Sequence, residues 1–313
     1  MSIALLLAAL QEASTPDPAL DLQVPAGLAV TIWAESPDLY NPTAIDIDER
    51  GRVWLAEAVN YRLWNEHEVD VPRPAGDRVL VLEDVDLDGR CDTSRVFVED
   101  PELVAPLGIA VLGERVFVSC SPSILVYRDA NGDGDAMDGG EKEVFLTGFG
   151  GRDHDHGVHS VVFGPDGRLY LALGNAGPHV VTDRSGWTLR SGSIYRDGGR
   201  AQSDNKPGLV SDDGRVYTGG LILSVRPDGT DLRVEAHNFR NEYEVAVDSF
   251  GDLYTFDNDD EVVCCRASWV MRGGNYGFFS PDGSRTWRAD QRPGQPIPNA
   301  QWHAQDPGVL PTG

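Results

Sequence analysis

The stretch RDHDHGVHSVVFGPDGRLYLALGN, residues 152–175, sets His154, His156 and His159 within six positions, three of the seven histidines in the chain. Imidazole titrates near neutrality, so such a cluster serves as a proton acceptor, a metal ligand set, or a group of loop-stapling hydrogen-bond partners. The flanking carboxylate of Asp155 could orient one imidazole and stabilise its charged form. Three readings follow from residue type alone. A transition metal would use His154, His156 and His159. Structural histidines would bond loop backbone. A general base would stand at the mouth of the β-hairpin that begins here.

A second class of chemistry lies in two acidic loops. DVDLDGRCD sets Asp84, Asp86, Asp88 and Asp92 around Gly89, and DANGDGDAMD sets Asp129, Asn131, Asp133 and Asp138 around Gly134. Oxygen ligands at alternate positions with a following glycine form the first half of a calcium loop, because the chain must bend sharply around a hard cation. Position twelve of each loop is Arg95 or Gly140 instead of a bidentate Glu, so these are not EF-hands. They are expected to be strand-connecting calcium loops; the alternative is Asp/Gly turns held by side-chain-to-backbone bonds. A third acidic run, FDNDDE at 256–261, suits a cation, a polar substrate or a solvated turn.

The elements that must position these groups are β-strands. Four segments share one pattern: Ala44–Ala58, Gly108–Ser121, Ser160–Gly174 and Glu244–Asn258. Each is an alternating strand, a turn at or near glycine, and a second strand with an aromatic at its centre, namely Trp54, Phe117, Tyr170 or Tyr254. Further strand-like runs lie between them (RVLVLEDV, SILVYRDA, EVFLTGF, LILSVRPDG, LRVEAHNF). A hairpin repeated along a chain with no competing helical period predicts an all-β fold, a β-propeller. The expected form is a six-bladed type, incomplete, with about four to five blades present. Residues 176–220, rich in Gly, Asp, Ser and Arg, are expected to form an insertion loop.

Composition narrows the partners. The 313 residues carry a formal charge of −24, which repels nucleic acid and anionic lipid surfaces. The apolar run Ile3–Leu10 is too short to span a bilayer and reads as a signal-like leader over residues 1–20, although the basic n-region is missing; the alternative is a buried N-terminal helix. Residues 25–313 would then be one propeller domain, exported to the periplasm or cell envelope. The spacing of Cys91, Cys120, Cys264 and Cys265 fits no zinc ribbon. Cys91 and Cys120 could pair in an oxidising compartment, or the thiols are small core residues.

With these residues in hand, DHGVHSVVFGPDGRLYLALGNAG resembles the catalytic strand of soluble quinoprotein glucose and sorbosone dehydrogenases. NFRNEYEVAVDSFGDLYTFDND is similar to that family's Arg-Asn hairpin, and WVMRGGNYGF to its Asn-Tyr-Gly stretch, with Phe278 in place of Trp. Ser160 stands where the family has Arg. The order of motifs also resembles the N-terminal propeller of exported, membrane-bound-dehydrogenase-like proteins of planctomycete-like bacteria. The resemblance implies His156 as the base that takes a substrate hydroxyl proton, with Asp155 beside it. It implies Arg240, Asn241 and His159 at a pyrroloquinoline quinone (PQQ), with calcium to polarise the quinone. The implied partners are a sugar or alcohol and a haem-type electron acceptor. HDHGVH is also similar to the His-rich motif of metallo-β-lactamase-like hydrolases, with Val158 at the Asp position. Rival functions are a non-catalytic glycan- or protein-binding propeller and a lactonase-like metal hydrolase.

Overall fold

A computed structural model describes residues 24–61, 72–150, 154–194, 205–258 and 265–279. The leader over 1–20 and Cys264 lie outside these residues. Among the described residues the regular structure is β, apart from a single 3-10 turn at His154–His156. No described helix is long and apolar enough to cross a membrane.

Four sheets carry the architecture. The first is β1 (Pro42–Ile47), β2 (Val53–Glu57), β3 (Asp77–Glu83) and β4 (Thr93–Asp100), in chain order. The second is β5 (Gly108–Leu112), β6 (Arg115–Cys120), β7 (Ser123–Tyr127) and β8 (Lys142–Thr147), again in order. The third begins with β9 (Val158–Phe163) and β10 (Leu169–Leu173). The chain then leaves to form a small sheet from β11 (His179–Thr182), β12 (Thr188–Gly192) and β13 (Tyr217–Thr218). It returns with β14 (Gly220–Val225) and β15 (Arg233–Phe239) to complete the third sheet. The fourth sheet is β16 (Val245–Val247), β17 (Leu253–Asp257) and β18 (Arg266–Val270). A last short strand, β19 (Gly274–Asn275), folds back parallel to β15.

Each repeated segment is the first hairpin of a sheet. In the third, Leu169 pairs with Phe163 and Tyr170 with Val162, and Gly167 closes the turn at φ 75°, a conformation that glycine adopts without a Cβ penalty. The first strands β1, β5, β9 and β16 neighbour one another in succession, so they form the inner ring. The sheets pack face to face. Trp54, Val79 and Phe97 of the first meet Ile109, Val118 and Tyr127 of the second. Phe117 and Phe145 of the second meet Leu171 and Leu223 of the third. Tyr170 and Ile222 of the third meet Val245 and Val270 of the fourth. Radial sheets with buried aromatic layers between them are the blades of a β-propeller, and four are present among the described residues.

Two expectations are corrected. Residues 176–220 are not merely a loop, because β11, β12 and β13 lie within them. Cys91 and Cys120 are both free thiols. Cys120 sits in the core between the first two blades, where burial pushes its thiol up to about 12.

Candidate active site

Alternation of strand direction puts the starts of β9 and β17's neighbour β16, and the ends of β2, β10, β15 and β17, at one end of the blades. His156 precedes β9 by two residues and Asn175 follows β10 by two, so the hairpin register brings them together. His156 Nδ1 and Asn175 Oδ1 are 2.8 Å apart, and both side chains are buried. The amide oxygen accepts the Nδ1 proton, which leaves the ring's lone pair on Nε2. The backbone N–H of Asn175 in turn donates to the carbonyl of Arg240 at 3.0 Å. The imidazole and the guanidinium-bearing residue are thus two hydrogen bonds apart at the same end of adjacent blades.

Arg240 is itself tightly framed. Its backbone N–H donates to Asp257 Oδ2 at 2.8 Å, and that of Asn241 to Asp257 Oδ1 at 2.7 Å. Its Nη1 donates to the side chain of Asn258 at 2.7 Å and to its carbonyl at 3.1 Å. Burial pushes Asp257 up to about 6, against the lowering effect of those two backbone donors and the nearby arginine charges. The 256–261 acidic run therefore contributes a buried anchor at Asp257 and a guanidinium acceptor at Asn258; residues 259–261 lie outside the described residues.

The remaining predicted residues take distinct places. Asp155 Oδ1 accepts a hydrogen bond from Tyr61 at 2.5 Å, which ties the end of the first blade to the third across the inner ring. The acceptor at His156 Nδ1 is Asn175, where the sequence reading put Asp155 beside the ring. His159 Nδ1 donates to the carbonyl of Glu242 at 2.8 Å, and its ring stacks on Tyr243 at 5.2 Å. Tyr243 reaches on to the carbonyls of Thr43 and Leu107 at 3.3 and 3.4 Å. It also borders a cavity of about 310 Å³ that Thr43, Gly108 and Ser160 line between the inner strands. His154 belongs to the 3-10 turn.

Sequence reasoning missed three groups here. Tyr61 and Asn175 are two. The third is His179, fully buried, whose Nδ1 accepts from Gly150 N–H and whose Nε2 donates to the Gly174 carbonyl, both at 3.0 Å. Burial drives its imidazole down to about 4, so it is neutral and structural.

Glu242 adds an unusual feature. It is fully buried, neither carboxylate oxygen has a hydrogen-bond partner, and burial followed by the charge of Asp257 holds its carboxyl well above the usual range.

The acidic loops stand apart from this end. Asn60 N–H donates to Asp77 at 3.1 Å, so β3 starts near Tyr61 and runs away from it, delivering Asp84 at the far end. Seven residues at ~3.3 Å each put that loop about 20 Å from the His156 end. Val158 N–H donates to Ser121 at 3.0 Å, so β7 likewise starts beside His156 and delivers Asp129 at the far end. Oxygens of Asp84, Asp86 and Asp88 converge within 4.8 Å of one another, a plausible geometry for one hard cation. Asp92 accepts from the backbone of Val85 and Asp86, and Asp84, Asp86 and Asp88 likewise accept backbone N–H groups of Asp88, Gly89 and Arg90, the side-chain-to-backbone bonds of an Asp/Gly turn. In the second loop Asn131 bridges Asp133 and Asp138 at 2.9 Å each, and Asp129 accepts from Gly132 and Gly134 N–H. Both loops therefore lie at the end of the blades opposite His156, too far to act on a group bound there.

Comparison with known proteins agrees with this architecture. The PQQ-bound aldose sugar dehydrogenase of Streptomyces coelicolor is similar at 17% identity and a TM-score of 0.50, over 79% of this chain and 66% of that one. The PQQ domain of a pyranose dehydrogenase from Coprinopsis cinerea matches at 16% identity and a TM-score of 0.43, over 71% of this chain and 44% of that one. The chain thus spans less than two thirds of either protein, and likeness at this identity shows the fold. No curated protein matches the chain in sequence. The model of one family matches residues 15–306, and the chain belongs to that family, described as a domain of unknown function (DUF7133).

Proposed function

We propose that this propeller is a quinoprotein-type oxidoreductase that oxidises a hydroxyl of a sugar or alcohol. The observation that carries the reading is the chain from His156 Nδ1 through Asn175 to the Arg240 carbonyl, which sets a buried imidazole with its lone pair on Nε2 at the same end of adjacent blades as the buried Arg240. His156 Nε2 takes the substrate hydroxyl proton, and Asn175 holds the ring in the tautomer that can do so. A resident PQQ, when bound, supplies the acceptor for the hydride. Arg240 and Asn241 are the residues that would hold its carbonyl edge, Arg240 by stabilising negative charge on oxygen. The donor set fits that edge: a guanidinium fixed by Asn258, on a backbone N–H held by Asp257, in a chain whose overall charge is −24. His159, locked between Glu242 and Tyr243, supports the floor beneath them.

The same reading places the protein outside the cytoplasm, with residues 25–313 as one propeller domain, on the strength of the apolar run Ile3–Leu10. A haem-type acceptor would then collect the electrons, and calcium would occupy the loop of Asp84, Asp86 and Asp88 as a brace.

The test is reconstitution. Purified chain is mixed with PQQ and calcium, cofactor binding is followed by absorbance, and sugars are then offered with an artificial dye. Bound cofactor and sugar-dependent dye reduction support the proposal. Glycan binding with no turnover, or lactone hydrolysis with bound zinc, would replace it with a binding propeller or a metal hydrolase.

A further inference from the structure

Among the described residues, Glu242 is the one carboxylate whose two oxygens are both buried and both without a hydrogen-bond partner. Protonation would remove the charge but leave a buried O–H and a buried carbonyl still unmatched. Among the described residues the charge that acts on it is the like charge of Asp257, itself fully buried but already matched by the Arg240 and Asn241 backbone donors and the Arg240 and Arg266 charges. The Glu242 carboxylate, by contrast, sits in a low-dielectric site with its oxygens unmatched and calls for a counter-charge.

Several oxygens lie close by. Asn241 Oδ1 is also buried and unmatched. A Cβ on Gly220 would strike Glu242 Oε2 and the Leu173 carbonyl, and one on Gly174 would strike Asn241 Oδ1 and the His156 carbonyl. The register of Leu173 on Leu221 sets Gly174 and Gly220 opposite one another, so the two glycines leave room where these oxygens approach. His159 turns an N–H toward the Glu242 carbonyl, not a lone pair.

We propose that Glu242 and Asn241, with Asp257 behind them, form an internal cation site that takes a hard divalent ion of the calcium class. Carboxylate, amide and backbone oxygens are the ligands calcium selects, and its charge offsets the unmatched Glu242 carboxylate. The site is internal to the packing of the third and fourth blades, distinct from the exposed loops at the far end, and goes beyond the redox reading, on which it does not depend.

The test begins with a chain carrying Asp84→Asn, Asp86→Asn, Asp88→Asn, Asp129→Asn, Asp133→Asn and Asp138→Asn, which silences both loops. After chelation it is titrated with calcium alone by calorimetry and native mass spectrometry. Retention of one calcium ion, with affinity lowered at least 100-fold by a further Glu242→Gln, is the expected result. A loop-silenced chain that binds no calcium, or a Glu242→Gln variant that binds as well as its parent, overturns the proposal. Should these variants not fold, terbium-soaked crystals of the wild-type chain decide it: an anomalous peak within coordination distance of Glu242 supports the site, and none there refutes it.

Discussion

Acidification should weaken the protein through one buried imidazole. His179 has no solvent exposure, and both its nitrogens are used, by Gly150 N–H and the Gly174 carbonyl. Its folded value is about 4, below the ordinary imidazole value of 6.5. A base whose folded value is depressed contributes stability that is fully present above the unfolded value and lost as pH falls toward the folded one. The loss between pH 6.5 and about 4 amounts to roughly 3 kcal/mol. Asp257 acts with the opposite sign. Its folded value of about 6 lies above 3.8, so its burial penalty is relieved as pH falls through the same window, by ~3 kcal/mol. The wild-type stability curve alone therefore mixes two opposed effects. The informative quantity is wild type minus His179→Gln, from urea unfolding at half-unit steps between pH 4 and 7. That difference should shrink by roughly 3 kcal/mol on acidification, because the variant has no imidazole to protonate. A pH-independent difference would refute the assignment of His179 as a buried neutral staple.

Other outcomes follow from the same geometry. Replacing Asn175 by Asp puts a carboxylate against His156 Nδ1, so the pH at which kcat/KM rises should move up by about 1–3 units in a dye-linked assay. Asn175→Ala should instead lower kcat about 10-fold or more with little effect on KM, since it releases the ring from its working tautomer. Substituting Asp84, Asp86 and Asp88 by Asn should remove the share of calcium-dependent thermal stabilisation that this loop supplies, about 2.7 kcal/mol at calcium 100-fold above its Kd, while leaving the turnover of cofactor-loaded protein unchanged.

The fold was legible because its signals are local. A GPDG turn between alternating strands announces β9 and β10 within fifteen residues, and the same pattern recurs at the head of each blade. The sheet of β11, β12 and β13 was not legible: HVVT and TLRSG are short, sit among Gly, Asp and Arg, and are joined by parallel pairing to Tyr217–Thr218. His156 and Arg240 stood out by motif. Asn175 was within reach, since a hairpin that starts after His156 must bring its far end back beside it. Tyr61 was not, because its bond to Asp155 joins segments 94 residues apart. Glu242 looked like one more acidic residue in an acidic chain; only the packing of two blades reveals that it is enclosed.

The central claim is that His156 is the proton acceptor of a hydroxyl oxidation, and the pH dependence of kcat/KM tests it most directly. With PQQ and calcium supplied and a sugar as donor, the wild-type profile should rise with a single ionisation. His156→Gln should give a flat profile lower by about 100- to 10,000-fold, with cofactor binding retained. A variant that keeps the wild-type rate and the wild-type profile would contradict the account.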